Sequence, residues 1–366
     1  MGLESVVSRQ LIKMGMENVS ARDARVCFSG NYDDMCRAAL WLRTAERVYV
    51  EITSFHAETF DELYQGVHSV LWDTYLGIHT RIHVNGKSVR SRLFSVPDCQ
   101  RIAKKAIVDR LGGIYHTSVF PEDGEEVIVD VSLLKDDVTI SLDCCGAGLS
   151  RRGYRTFNVP APLSETLAAG IVLLSGFRSG DALMDPMCGS GTIPIEAALI
   201  AQNKAPGLQR SFSSEFWRFI PADCWKRARE EAMDAVRHVS DCIYGCDIDP
   251  HCIELCKAHA EKAGVKVKWY VRPFADTDLP APYGFFITNP PYGERLMDRS
   301  AAASLYREMS VLFNRFKGWK KSIITAYPGF EKAYGRKADK RRKLSNGGLT
   351  CTLYQYYPEV RKPQNE

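Results

Sequence analysis

The stretch DPMCGSGT, residues 185–192, decides the fold. An apolar strand runs into Asp185, and the apolar run IPIEAALIA (193–201) that follows suits a buried helix. Strand, glycine-rich turn and helix in that order make the ligand-binding corner of an open α/β sheet. Gly189 and Gly191 let the chain turn tightly and bring its backbone close to a bound molecule. The helix start offers free N–H groups to a carboxylate or phosphate. Asp185, Pro186, Cys188, Gly189, Ser190, Gly191 and Thr192 are therefore the candidate cofactor-binding residues. The loop is neither GxGxxG nor a GK[ST] loop, which argues against a dinucleotide and a nucleoside triphosphate. Taken alone it also suits a plain tight turn, so its meaning depends on its neighbours.

Two neighbours sharpen it. YGCDIDP (244–250) ends the next apolar strand, where the Asp247 carboxylate can accept both ribose hydroxyls of an adenosine and Ile248 can cover its adenine. Asp249-Pro250 reads as the cap of the helix that follows. NPPYGER (289–295) comes directly after the strand GFFIT and has a specific chemical rationale. A base's exocyclic amine is a poor nucleophile because its lone pair is delocalised into the ring. The Asn289 side-chain oxygen and the Pro290 carbonyl can accept its two N–H bonds. Pro290 and Pro291 fix that geometry, and Tyr292 supplies a face for an extruded base. Asn289, Pro290, Pro291 and Tyr292 are the candidate catalytic residues. Adenine N6, guanine N2 and cytosine N4, on DNA or RNA, all suit this loop equally.

Around these motifs, strands alternate with helices from residue 163 onward. Helices are expected at 163–175, 192–203, 223–238, 250–263 and 301–316. A closing pair of strands is joined at Asn346-Gly347-Gly348. This pattern predicts a mostly parallel doubly wound sheet with an antiparallel edge, interrupted by a helix-rich insertion before 242. Residues 1 to about 155 hold smaller α/β units with no phosphate loop. Their expected helices are 2–14, 33–43, 60–71 and 98–111, with strands at 45–55 and 78–84. Two further strands are separated by Lys135, Asp136 and Asp137. A boundary is expected near 151–162, where prolines interrupt the pattern.

The 366 residues, 45% hydrophobic and 25% charged, supply more than one core. No apolar run is long enough to span a membrane, and the start lacks the features of a signal peptide, so a cytoplasmic location is expected. The twelve cysteines show no CxxC spacing, which predicts reduced core residues and no metal site. A net charge of +4 says little, but KAYGRKADKRRK (332–343) concentrates bases. Its Lys337, Lys340, Arg341, Arg342 and Lys343 form either an RNA-facing strip or a solvated face. Arg151, Arg152 and Arg155 form a smaller cluster with the same ambiguity.

The three motifs, in this order, resemble the amino-methylating class I methyltransferases. Further stretches extend the resemblance over nearly the whole chain: GLESVVSRQL, RRGYR, APLSETLAAGIVLL, NPPYGERL, LYREM and NGGLTCTLYQYY. With them the sequence resembles the THUMP-domain RNA guanine-N2 methyltransferases, also described as N6-adenine-specific DNA methylases. Within that family it is similar to the N-terminal half of the bifunctional bacterial 23S rRNA enzymes. The resemblance implies a class I Rossmann-like seven-stranded sheet behind an α+β region. That region would comprise a ferredoxin-like segment at 1–44 and a THUMP domain at 45–155, with the catalytic domain at 156–366. It implies S-adenosylmethionine (SAM) as cofactor and structured RNA as partner, 23S rRNA above all; the sequence leaves the oligomeric state open, with a monomer favoured. The family's leading strand ahead of Gly2-Leu3-Glu4 is expected to be missing or trimmed. Its adenine-binding acid falls on Pro273, so Asp276 or backbone groups would take that role. A non-catalytic RNA-binding module is disfavoured by intact Asn289 and Asp247, and a dehydrogenase by the missing GxGxxG.

Overall fold

A computed structural model describes residues 2–22, 24–155, 163–239, 242–278, 281–291 and 299–359. The chain opens with α1 (Glu4–Lys13), β1 (Glu17–Arg22), β2 (Arg25–Ser29) and α2 (Tyr32–Trp41). There follow β3 (Tyr49–His56), α3 (Phe60–His68), β4 (Arg81–Val89), α4 (Val96–Tyr115), β5 (Glu126–Leu134) and β6 (Asp137–Asp143). Strands β3 to β6 form a four-stranded sheet in the order β3-β6-β5-β4. Its β5–β6 hairpin turns at Lys135 and Asp136, both at positive φ, as a tight two-residue hairpin demands. Reciprocal capping boxes start α2 (Asn31 with Asp34) and α3 (Thr59 with Glu62).

The second part runs α5 (Glu165–Ser175), β7 (Leu183–Asp185), α6 (Thr192–Ala201), α7 (Ala222–Asp234), β8 (Ile243–Asp247), α8 (Pro250–Ala263) and β9 (Lys268–Val271). It ends with β10 (Gly284–Thr288), α9 (Arg299–Asn314), β11 (Trp319–Thr325), α10 (Phe330–Tyr334), β12 (Lys340–Asn346) and β13 (Leu349–Tyr356). The sheet order is β12-β13-β11-β10-β7-β8-β9, with β13 antiparallel to both neighbours and the remaining pairs parallel. This is the seven-stranded doubly wound sheet expected, antiparallel hairpin included. The hairpin turns on Gly347 and Gly348, at φ 55° and 88°. Strand order reverses beside β7, so the crevice at its carboxyl end is the ligand position of such sheets.

Three expectations change. The β1–β2 ribbon was not anticipated, because most of its residues stay at least partly in water and show no strong alternation. The basic segment is not one loop: it begins within α10 and ends as β12. Arg152 is neither solvated nor free for RNA. It is buried, donates to the carbonyls of Leu149 (2.8 Å) and Arg43, and faces Glu196 of α6 at 3.4 Å. Arg155 likewise turns inward, donating to Thr192 Oγ1 (2.7 Å) and the Leu163 carbonyl (3.1 Å).

The insertion between α6 and β8 packs backward onto the first part. Phe212, Trp217, Ile220, Trp225 and Ala228 share one apolar cluster with α2, α4 and the four-stranded sheet. Arg227 pairs with Asp33 (2.7 Å) and Arg37 with Glu231 (3.0 Å) across the α2–α7 contact. Gly207 donates to the Leu40 carbonyl at 3.0 Å, and a Cβ there would lie 2.8 Å from Leu40 Cα. The insertion is thus a strap, not a separate lobe.

Candidate active site

The candidate cofactor loop, residues 185–192, is held from three sides. At its base, Asp185 is fully buried on a strand with both faces covered, and its Oδ1 accepts the Met187 N–H at 3.2 Å. Burial pushes its carboxyl up to about 7; the Thr288 hydroxyl and the Met187 N–H pull the other way. On the β8 side, Cys188 N–H donates to the Cys246 carbonyl (2.8 Å) and Gly189 N–H to Asp247 Oδ2 (2.9 Å). On the α8 side, Cys256 Sγ donates to the Gly189 carbonyl (3.1 Å), and His259 Nδ1 lies 3.1 Å from the Ser190 carbonyl. Burial lowers the His259 pKa, which favours a neutral ring whose Nδ1–H serves as that donor.

The two glycines do different work. Gly191, at φ 80°, is the residue preceding α6; a Cβ there would meet Trp269 at 2.8 Å and Cys256 Sγ at 2.9 Å. Gly189, at φ 53°, would point its Cβ at nothing within 4 Å. Gly191 is therefore demanded by packing, whereas the space over Gly189 is open to a ligand. Pro194 in the first turn of α6 supplies no N–H, which leaves Thr192 and Ile193 as the outward-facing donors there.

Asp247 ends β8, with Gly189 N–H on one carboxylate oxygen and Asp249 N–H on the other at 3.0 Å. A carboxylate has about four lone-pair positions, so roughly two remain for a ribose diol. Ile248 is 71% exposed beside it, a large apolar side chain with no core role. Asp249 caps α8 through the His251 N–H at 2.9 Å. These features fit S-adenosylmethionine: an open glycine cradle, an acid with spare acceptors and an exposed apolar face. Asp276 sits exposed at the end of the turn Phe274–Asp276 that follows β9. That turn is tied to the site by the Arg272 N–H on the Asp247 carbonyl, 3.0 Å.

Asn289 follows β10, which pairs with β7 through Phe286 and Met184, so it emerges beside Asp185. Its Oδ1 is buried and has no hydrogen-bond partner among the described residues. An acceptor in that state costs about 1–3 kcal/mol unless something fills it. Pro290 is buried and Pro291 half-buried; Tyr292 lies outside the described residues. The loop after β7, Asp247 and Asn289 thus stand at the carboxyl ends of three adjacent strands, β10, β7 and β8.

The basic segment lies elsewhere, running from α10 into edge strand β12. Arg341 pairs with Glu331 (2.9 Å), and Arg342 holds the Gly2 carbonyl (2.9 Å) and Ser5 Oγ (3.2 Å). Lys337, Lys340 and Lys343 are exposed. Sequence reasoning missed the supports Arg155, Cys256, His259 and Glu196. The inward spacing Ile253, Cys256, Ala260 along α8 could have flagged His259 as facing the core.

This fold and this strand-end site define a class I methyltransferase that uses SAM. The description "RMKL-like, methyltransferase domain" matches residues 152–355, "RlmL ferredoxin-like domain" residues 1–49, and "THUMP domain" residues 57–143. The chain belongs to the RMKL-like methyltransferase family. It is 42% identical to the Bacillus subtilis (strain 168) protein named "Putative RNA methyltransferase YpsC", over 100% of this chain and 96% of that one. It is 35% identical to the "Ribosomal RNA large subunit methyltransferase K/L" of Psychromonas ingrahamii, over 100% of this chain and 50% of that one. Among solved structures, SMU.472 complexed with SAH superimposes with a TM-score of 0.92 at 40% identity, covering 99% and 97% of the two chains. A "predicted N6-adenine-specific DNA methylase" from Listeria monocytogenes does so with 0.90 at 42%, covering 98% and 94%. Among the described residues no helix is long and apolar enough to cross a membrane.

Proposed function

We propose that the chain methylates an exocyclic amine of a base in structured RNA, and that the base is guanine, modified at N2 in large-subunit ribosomal RNA. The observation that carries the amine reading is the buried, unpartnered Asn289 Oδ1 beside the cofactor loop. The THUMP match and the names of the relatives support RNA.

Bound SAM supplies an electrophilic methyl on a sulfonium centre. Asn289 Oδ1 and the Pro290 carbonyl accept the two N–H bonds of the amine, drawing its lone pair out of the ring and aiming it. Pro290 and Pro291 restrict the loop so that both acceptors hold still. Tyr292 stacks on the extruded base. Gly189, Asp247 and Ile248 hold the adenosine end of the cofactor, with Asp276 or backbone groups at the adenine amine. Asp185, Pro186, Cys188, Ser190, Gly191 and Thr192 shape the loop around the remainder. No strong base is required, because the amine's proton becomes acidic only once the methyl has arrived. Lys337, Lys340 and Lys343 contact RNA phosphates, with Arg341 and Arg342 held to the protein alongside them.

Asn289→Ala tests the reading: methyl transfer to ribosomal RNA should be abolished while SAH affinity stays within a few fold. Loss of both together would make the loop structural. Nucleoside analysis of RNA from a deletion strain identifies the target. N2-methylguanosine should fall; a fall in N6-methyladenosine instead would replace guanine by adenine, the reading favoured by the name of the Listeria structure.

A further inference from the structure

The outer flank of the seven-stranded sheet is its edge strand, β9. From Val265 to Arg272 the sequence VKVKWYVR alternates. Val265, Val267 and Trp269 pack into the apolar clusters against α8 and α6. Successive Cβ atoms point to opposite faces, so Lys266, Lys268, Tyr270 and Arg272 share the other side. They form a row of roughly 20 Å. Between β9 and β10, the helical structure among the described residues is the single turn Phe274–Asp276, which leaves Tyr270 38% and Val271 53% exposed.

The row is cationic and backed by an aromatic ring. The lysine ion pairs among the described residues are Lys104–Glu122 and Lys317–Glu359, so Lys266 and Lys268 have none among them. Lys268 Nζ sits over the Tyr244 ring, 5.6 Å from its centroid, on the side of the strand turned away from α8. The Arg272 guanidinium lies 4.5 Å over the Tyr270 ring. The Arg272 backbone N–H donates to the Asp247 main-chain carbonyl, so the upper end of the row adjoins the strand end that carries Asp247. Lysines on an edge strand also discourage strand addition by another chain. That role accounts for Lys266 and Lys268, but not for an exposed tyrosine braced by a guanidinium at the end nearest the site.

We propose that this flank carries the unpaired RNA strand next to the target nucleotide, its phosphates along Lys266 and Lys268 and one flanking base stacked on Tyr270. A cationic row that tracks the backbone, joined to a stacking ring, suits a single strand and tolerates any base. The proposal rests on the RNA reading above.

The probe is a fluorescent ten-nucleotide oligouridylate, titrated by anisotropy over a range of NaCl concentrations, with a blunt RNA duplex of equal length as control. Lys266→Gln with Lys268→Gln should flatten the slope of log affinity against log salt by about 1.4, at roughly 0.7 per single-strand phosphate contact. Tyr270→Ala should weaken oligouridylate binding about tenfold at constant salt. Unchanged SAH affinity reports an intact fold in each variant. Wild-type binding to neither RNA would overturn both this proposal and the RNA reading. Wild-type oligouridylate binding that both variants retain, or variants that lose duplex binding while keeping oligouridylate binding, would overturn this proposal alone.

Discussion

Replacing Asp247 by Asn asks whether this carboxylate binds the cofactor or merely ties down a loop. In the structure Oδ2 accepts the Gly189 N–H at 2.9 Å and Oδ1 the Asp249 N–H at 3.0 Å. An asparagine keeps the shape but turns one oxygen into an NH2 group, which then meets a backbone donor. One loop bond is lost, at about 1 kcal/mol. The ligand loses more. The two spare carboxylate positions become a single neutral acceptor, and hydrogen bonds to a charged group are worth about 1.5–3 kcal/mol. The loop bond is lost with and without ligand, so the ligand's own loss sets the prediction: roughly 1.5–3 kcal/mol in SAH binding, about 10- to 150-fold in Kd. Calorimetric titration of SAH into wild type and Asp247→Asn measures it, with the melting temperature as a check on folding. Affinity within threefold of wild type in a folded variant would refute the ribose assignment.

The two glycines of the loop should separate. Gly189→Ala should cut SAH affinity and, at a left-handed φ of 53°, cost about 1 kcal/mol of stability; Gly191→Ala should cost more stability, because its Cβ also meets Trp269 and Cys256. Glu196→Ala leaves Arg152 and the Tyr154 hydroxyl, 3.2 Å away, buried with less to pair with, and should cost about 3–5 kcal/mol by urea denaturation. A loss below 1 kcal/mol would mean the pair is solvated in solution. Asp185, held up to about 7, keeps a proton between about pH 4 and 7 that the unfolded chain releases. Its contribution to stability is therefore full below pH 4 and is lost as pH rises to 7, a change on the order of 4 kcal/mol. The difference in unfolding free energy between wild type and Asp185→Asn, followed from pH 4 to 8, should track that loss; parallel curves would refute it.

What was legible in the sequence depended on how local each feature is. DPMCGSGT, the strand ending at Asp247 and NPPY each carry their chemistry within a few residues, and the alternation of apolar strands and helices predicted the sheet. The β1–β2 ribbon escaped because neither strand has a buried face to impose a pattern. Arg152 escaped for a different reason: a cluster of arginines reads identically whether solvated or buried, and its partners Arg43 and Glu196 lie 109 and 44 residues away. The edge row on β9 was hidden likewise, since the sheet order is what shows β9 at the edge, with no strand beyond it among the described residues.

The strap alters what counts as a part of this molecule. Phe212, Trp217 and Trp225 are encoded after the methyltransferase half has begun, yet they complete the core of the half before it. A gene cut between residues 143 and 152, where the two matched regions part, would leave one fragment with an unfilled hollow and the other with a bare aromatic face. Natural recombination between relatives meets the same obstacle, so the two halves are expected to be inherited together and to unfold in a single cooperative step.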